Sequence, residues 1–251
     1  MNLKILGTHS PNAAKGHNAP GYLVTDGTDT ILLDCGSGCS SLLSIPEDLI
    51  NLNIFISHLH WDHFNDTPIL QYAAFANSNL GLIKEPIKIW IPASPIDKHE
   101  LITNEKDSFA TFHTINEDTN IKIGKMTVSF CKTDHPIETY AIKVTDGKQT
   151  IVYTADTSFS AKDKLVKFAK DCDILLSESS LLKEHGFPEI CSHLTAEQAG
   201  IIAKEANVKK LVLTHFWPTE SIQKYFLEAK KIFENVHIAN WRRYYIIKTG
   251  S

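Results

Sequence analysis

The sequence predicts an α/β protein of four layers, an αββα sandwich in which two β-rich halves pack sheet to sheet and carry helices on their outer faces. Three observations point there. Short apolar runs alternate with helical stretches along all 251 residues. β-Hairpins with helices between them occur in both halves of the chain. No Pro/Gly/Ser linker, low-complexity tract or repeat of about 20–50 residues interrupts the pattern. Residues 1–251 therefore read as a single domain.

Each element has its own signal. Lys4–Leu6 opens the chain as a strand, and the apolar stretch of Met1–His9 is too short for a signal peptide. Gly21–Val24 and Thr30–Asp34 are strands about an Asp26-Gly27 turn. Asn53–Ile56 is an apolar strand and Thr67–Asn77 a helix; Ile87–Ile91 is a strand and Pro95–Lys106 a helix. Lys125–Thr133, Thr139–Val144 and Thr150–Thr154 are strands, the last two joined at Asp146-Gly147-Lys148. Lys162–Ala169 is helical and Ile174–Ser177 extended. Ala196, Ala199, Ala203 and Ala206 recur at helical spacing, and Thr195 with Gln198 makes a capping box before them. Lys210–Thr214 is a strand, Glu220–Phe233 a helix with Ile222, Phe226, Ala229 and Phe233 on one face, and Tyr244–Lys248 the last strand.

Composition removes several classes of function. A chain 43% hydrophobic and 22% charged has a substantial core and is not disordered. Lys+Arg 25 against Asp+Glu 29 leaves a net charge of −4, without a broad basic footprint for duplex nucleic acid. Every apolar run is broken well before the roughly 18 residues of a membrane span. Cys35, Cys39, Cys131, Cys172 and Cys191 are odd in number and lack C-x-x-C spacing. They read as small buried hydrophobes in a cytoplasmic protein, not as a disulfide framework or zinc knuckle. The outlier is histidine, present 12 times, as often as glycine. Glycine alone averages about 7% of residues.

The histidines concentrate chemistry in one segment. The apolar strand Asn53-Ile54-Phe55-Ile56 runs straight into Ser57-His58-Leu59-His60-Trp61-Asp62-His63, an H-x-H-x-D-H pattern. Alternation lets His58 and His60 project the same way. A turn after them brings Asp62 and His63 to a neighbouring point. Neutral imidazoles and a carboxylate are normal ligands of zinc and similar ions, so the segment suits a pair of adjacent metals. Three further candidates each follow an apolar strand: His135 in Thr133-Asp134-His135-Pro136, Asp156 in Thr154-Ala155-Asp156-Thr157, and His215 in Thr214-His215-Phe216. The ends of strands are where open sheets place their sites.

The order His-x-His-x-Asp-His, His, Asp, His resembles the metallo-β-lactamase superfamily over essentially the whole chain, and Leu32-Leu33-Asp34-Cys35-Gly36 resembles its first motif. The resemblance implies two divalent ions, Zn²⁺ foremost with Mn²⁺ or Fe²⁺ as alternatives. One would take His58, His60 and His135, and the other Asp62, His63 and His215. Asp156 would bridge them with a water-derived hydroxide, and Asp34 would orient a ligand histidine.

Within the superfamily, Asp156 argues against the β-lactamase subclass with a cysteine ligand, and His60 with His63 against the di-iron flavoproteins. Asp134-His135-Pro136 departs from the G-H-T of glyoxalase II-like chains. The 59 residues from Asp156 to His215 leave no room for a β-CASP insertion. Ala155-Asp156-Thr157 and His193-Leu194-Thr195-Ala196 resemble the ribonuclease Z-like phosphodiesterase branch. That likeness implies that His193 protonates the leaving oxygen or stabilises phosphoryl charge, and Asp62 and His193 are assigned catalytic roles. The chain lacks that branch's tRNA-gripping arm, because Asp156 follows His135 by only 21 positions.

The expected function is therefore metal-dependent hydrolysis of a phosphodiester in a small nucleotide or short nucleic acid, with no duplex nucleic acid and no membrane as partner, and with a homodimer left open. Lactone or carboxylic-ester hydrolysis at the same site is the first alternative, and a non-catalytic metal-binding sensor the second. Among the remaining residues, His9 near Gly7 reads first as a surface turn and second as a residue that touches substrate. His17, His99, His113, His185 and His237 read as solvated or partly packed. Leu182–Cys191 is expected to form a loop beside His193. Trp217-Pro218 lines the pocket or packs the next helix, and Trp241-Arg242-Arg243-Tyr244 makes an edge-strand cation–π pair.

Overall fold

The computed structural model describes residues 1–186, 191–240 and 244–246. The strands are β1 (Asn2–Gly7), β2 (Gly21–Thr25), β3 (Thr30–Cys35), β4 (Asn53–Phe55), β5 (Ile87–Ile91), β6 (Ala110–Thr114), β7 (Asn120–Ile123), β8 (Met126–Lys132), β9 (Tyr140–Thr145), β10 (Thr150–Tyr153), β11 (Ile174–Glu178), β12 (Leu211–Thr214), β13 (Val236–Ile238) and β14 (Tyr244–Ile246). The helices are α1 (Trp61–Phe64), α2 (Thr67–Asn79), α3 (Ile96–Thr103), α4 (Lys162–Phe168), α5 (Ala196–Glu205) and α6 (Ile222–Lys230). Ile247 and Lys248 of the expected last strand, and Trp241, Arg242 and Arg243 of the expected cation–π cluster, lie outside the described residues.

Two seven-stranded sheets are built to one plan. The first runs β14-β1-β2-β3-β4-β5-β6 and the second β7-β8-β9-β10-β11-β12-β13. In each, the first three pairings are antiparallel and the last three parallel. The likeness reaches the sequence. Val24-Thr25-Asp26-Gly27 and Val144-Thr145-Asp146-Gly147 open matching hairpin turns, each continued by two variable residues and Thr-Ile. Asp26 Oδ1 accepts from the N–H groups of Thr28 and Asp29, and Asp146 Oδ1 from those of Lys148 and Gln149, all at 2.8–2.9 Å. Gly27 and Gly147 take φ of 98° and 81°, the left-handed region open to glycine. The sequence reading saw no repeat because only the turn octet survives as text, while the shared plan lies in strand pairing.

Alternation assigns the layers. Ile31 and Leu33 of β3 and Ile151 and Tyr153 of β10 face the core between the sheets. Leu32 turns out to the layer of α2 and α3, with Leu70, Ala74 and Ile102. Val152 turns out to α4, α5 and α6, with Leu165, Ile202 and Tyr225. The α5 capping box forms as expected: Thr195 Oγ1 accepts from Gln198 N at 3.1 Å and Gln198 Oε1 accepts from Thr195 N at 2.9 Å.

Three strands were not expected from sequence: β6, β7 and β13. All are sheet edges. One flank of an edge strand is open to solvent, so the apolar run that marks a central strand is absent; β7 is Asn-Ile-Lys-Ile. The third helix stops at Thr103 rather than Lys106, and the last begins at Ile222 rather than Glu220. Among the described residues no helix is long and apolar enough to cross a membrane. All five cysteines are free; Cys35, Cys39 and Cys172 are buried, whereas Cys131 and Cys191 are only half-buried.

Candidate metal centre

The site gathers at the C-terminal ends of strands in both sheets. Asp34 is the last residue but one of β3, and β4 leads through Ser57 to His58. The turn expected after His60 is the single-turn helix α1, which starts directly after His60 and carries Asp62 and His63. In the second sheet, β8 leads to His135, β10 to Asp156, β11 ends in Glu178 and β12 leads to His215. Three of these ends are bent sharply. Asp34, Ala155 and His215 have φ of 56°, 53° and 65°, a left-handed conformation that costs a non-glycine residue about 1–3 kcal/mol. The bends turn the chain across the sheet ends and toward one point.

Seven side chains converge there in two groups. His58 Nε2 lies 3.1 Å from His60 Nδ1, and His135 Nε2 lies 3.1 Å from the same His60 atom. His63 Nε2 and His215 Nε2 are 3.1 Å apart, with Asp62 Oδ2 at 3.4 and 3.6 Å from them. Asp156 stands between the groups. Its Oδ2 is 3.5 Å from His58 Nε2 and 3.8 Å from His135 Nε2. Its Oδ1 is 3.1 Å from His215 Nε2 and 3.5 Å from His63 Nε2. His58, His60, His135 and Asp156 form one set of ligand atoms close enough to hold an ion, and Asp62, His63 and His215 another.

The donor chemistry fits cations at both points. His135 Nδ1 donates to the Ser192 carbonyl at 3.1 Å and His63 Nδ1 to Asp34 Oδ2 at 2.7 Å. Each therefore presents Nε2 inward, where neutral imidazole carries its lone pair. Asp156 Oδ1 is buried and has no hydrogen-bond partner, the kind of orphaned group that calls for an unseen ion. Protonation states carry the same message. Burial, reinforced by His63, pushes His58 well below the ordinary imidazole range. Burial with His135 lowers His60 to about 4. Against burial, Asp156, Asp62 and Asp34 hold His63 well above it.

An outer ring fixes these groups. Buried Asp34 accepts from Ser57 N at 2.7 Å, Ser57 Oγ at 2.9 Å, His63 Nδ1 at 2.7 Å and Tyr153 OH at 2.8 Å. Thr133 Oγ1 donates to the Asp156 carbonyl at 2.8 Å, and Asp134 Oδ2 accepts from Ser158 Oγ and Ser160 Oγ. These contacts lock the His135 and Asp156 loops together. Gly36 passes so close to α1 that a Cβ would lie 2.0 Å from the Asp62 carbonyl oxygen.

The sequence reading missed two members, Glu178 and Ser180. Fully buried Glu178 accepts from Thr157 N at 2.7 Å and Ser180 Oγ at 2.9 Å. Both its oxygens lie 3.2 Å from His193 Nδ1. Ser180 Oγ in turn meets His215 Nδ1 at 2.7 Å. A carboxylate at the end of the strand Ile174-Leu175-Leu176-Ser177 was the available signal. His193 lies beside the seven residues, its ring 5.3 Å from His135 and 5.5 Å from His215, with Asp156 Oδ2 3.9 Å from Nδ1. Burial alone would lower its pKa, but Glu178 and then Asp156 raise it to about 10.

Other expectations fare variously. His9 is not a surface turn. It is 4% exposed and packs between His17 and Phe216, because Thr8 and Phe216 are tied by backbone hydrogen bonding. Trp217 is 45% exposed and its N–H reaches Tyr225 OH at 3.4 Å. Of the Leu182–Cys191 loop, Phe187, Pro188, Glu189 and Ile190 lie outside the described residues.

The chain matches the β-lactamase superfamily domain over residues 29–216. It is 32% identical over 245 residues to "Probable metallo-hydrolase YhfI" of Bacillus subtilis (strain 168), covering 95% of this chain and 97% of that one. The crystal structure of YhfI, described as a metallo-β-lactamase fold protein, superposes with a TM-score of 0.89, covering 97% and 98% of the two chains. A ribonuclease Z of Protochlamydia amoebophila (strain UWE25) is 27% identical over 297 residues, covering 95% and 94%. The short form of human tRNase Z, 22% identical with a TM-score of 0.75 over the full length of both chains, shares the fold.

Proposed function

This chain belongs to the β-lactamase superfamily and is one of its metal-dependent hydrolases, and from that premise we propose that it cleaves a phosphodiester in a small nucleotide or short nucleic acid with two divalent ions, Zn²⁺ foremost. His58, His60 and His135 would hold one ion, Asp62, His63 and His215 the other, and Asp156 would join both. The observation that carries the reading is Asp156: each of its two oxygens faces its own group of imidazoles. Bound ions would supply Lewis acidity toward the phosphoryl oxygens and a nucleophile from water, whose pKa falls from about 15.7 to about 7 on zinc.

The remaining work falls to the chain. With Nδ1 directed at Glu178, His193 keeps Nε2 for the substrate, and its side chain is 27% exposed. Raised to about 10, it is protonated at neutral pH and gives its proton to the leaving oxygen. Glu178 is a positioning residue that orients this ring and, through Ser180, the His215 ring. Asp34 does the same for His63.

Two features favour a small phosphodiester. The segment between His135 and Asp156 is taken up by β9, β10 and their tight turn, which leaves no arm to grip a large RNA. The net charge of −4 provides no long basic track. Kinship to proteins named ribonuclease Z supports the diester bond itself. The deciding experiment assays the Zn²⁺- or Mn²⁺-loaded protein on bis(p-nitrophenyl) phosphate, a lactone and a cephalosporin. Turnover of the diester is expected. Turnover of the lactone alone overturns the phosphodiesterase reading, and no turnover of any of the three favours a sensor.

A further inference from the structure

Ser10 has no part in the roles assigned above, yet it touches the centre directly. Where β1 ends, the chain turns into Thr8-His9-Ser10, and this segment is bound to the residue after His215. Phe216 N donates to the Thr8 carbonyl at 2.8 Å, and Ser10 N donates to the Phe216 carbonyl at 3.1 Å. From that tether Ser10, 6% exposed, donates its hydroxyl to Asp62 Oδ2 at 2.7 Å. It is the same oxygen that lies 3.4 Å from His63 Nε2 and 3.6 Å from His215 Nε2.

The contact joins the two arms of one ion position. Asp62 comes from a single-turn helix in the first half of the chain and His215 from the end of β12 in the second. Ser10 binds the first by its hydroxyl and the neighbour of the second by its backbone. A carboxylate oxygen has two lone pairs. With one occupied by the serine O–H, the other is directed toward the two imidazoles. Two of the three imidazoles of the other position are held elsewhere: His58 Nδ1 meets Ser57 Oγ at 3.0 Å and His135 Nδ1 meets the Ser192 carbonyl.

We propose that Ser10 is a positioning residue for one ion position only, that of Asp62, His63 and His215, where it sets the orientation of the Asp62 carboxylate. The proposal rests on the two-ion reading above. Removing a group that orients a ligand typically lowers metal affinity about 10–100-fold.

The test uses the full-length protein stripped of metal and titrated with Zn²⁺ by calorimetry, with no substrate present. Circular dichroism confirms that each variant is folded. Wild type should show two binding events. Ser10→Ala should weaken one of them about 10–100-fold and leave the other unchanged. Ser10→Thr, which keeps the hydroxyl, should restore both. Two unchanged events in Ser10→Ala, equal weakening of both, or a Ser10→Thr variant that behaves like Ser10→Ala overturns the assignment. A wild type that takes a single ion overturns the two-ion reading instead, an outcome read from a different sample.

Discussion

The two sheets share a plan and contribute to the centre in opposite ways. The first delivers four donors, His58, His60, Asp62 and His63, from one continuous loop and helical turn after β4. The second delivers His135, Asp156 and His215 from three separate strand ends, and adds His193 and Glu178 from two more places. Donors close in sequence are held by local backbone geometry. Donors far apart depend on sheet pairing and on side-chain clamps such as Thr133 to the Asp156 carbonyl, Asp134 to Ser158, and Glu178 to Thr157. The second sheet's share of the site is thus the part most exposed to distant substitutions.

The strongest challenge to this contrast is Asp156, whose two oxygens each face one of the groups. Asp156→Ala should lose metal from both positions and reduce turnover to background, checked by metal analysis and a diesterase assay. Full activity would remove it from the bridging role. Next in size is His193→Ala, which should retain its metal and lose about 10²–10⁴ in rate. Metal loss would instead make His193 a ligand, as its place in a group with Asp156 and His215 allows.

The first sheet's outer ring should matter less. Asp34→Ala leaves the His63 ring without its Nδ1 partner and should weaken metal binding or activity about 10–100-fold, measured by titration. The effect should be greater on the position containing His63. A pH series sharpens the second sheet's side. His193 is raised from 6.5 to about 10 in the metal-free protein, so it binds a proton more tightly folded than unfolded. The stability it contributes is complete below about pH 6.5 and lost as pH rises through about 10. The difference in urea midpoint between metal-free wild type and His193→Ala should therefore shrink over that interval; a difference that grows with pH contradicts the assignment. The smallest expected effect is Thr195→Ala, which removes the α5 cap and should cost about 1 kcal/mol in a urea melt, with metal content unchanged.

The same contrast explains what could be read before the fold was known. The H-x-H-x-D-H segment is legible because strand alternation followed by a turn already implies converging side chains. Central strands are legible because both faces are buried; β6, β7 and β13, three of the four sheet edges, carry no such pattern. His9 was misjudged because a histidine near a glycine looks like a turn, and only its packing against Phe216 buries it. Ser180 and Ser10 have no periodic or motif signal of their own, and Glu178 has only that of a carboxylate at the end of an apolar run. Each acquires its role from a partner brought to it by tertiary pairing.

By itself, then, the sequence determined the four-layer α/β class, the capped α5 helix, and which seven residues were candidate ligands, since all of these follow from local periodicity and residue chemistry. The tertiary structure added the distant groups that meet these side chains: Glu178 at His193, Ser180 at His215 and Ser10 at Asp62. Tyr153 reaches Asp34 across 119 positions and Ser10 reaches Asp62 across 52. Bonds over such separations depend on the pairing of whole sheets and on the left-handed turns at Asp34, Ala155 and His215. The strain of those turns is sustained only by the contacts of the finished fold.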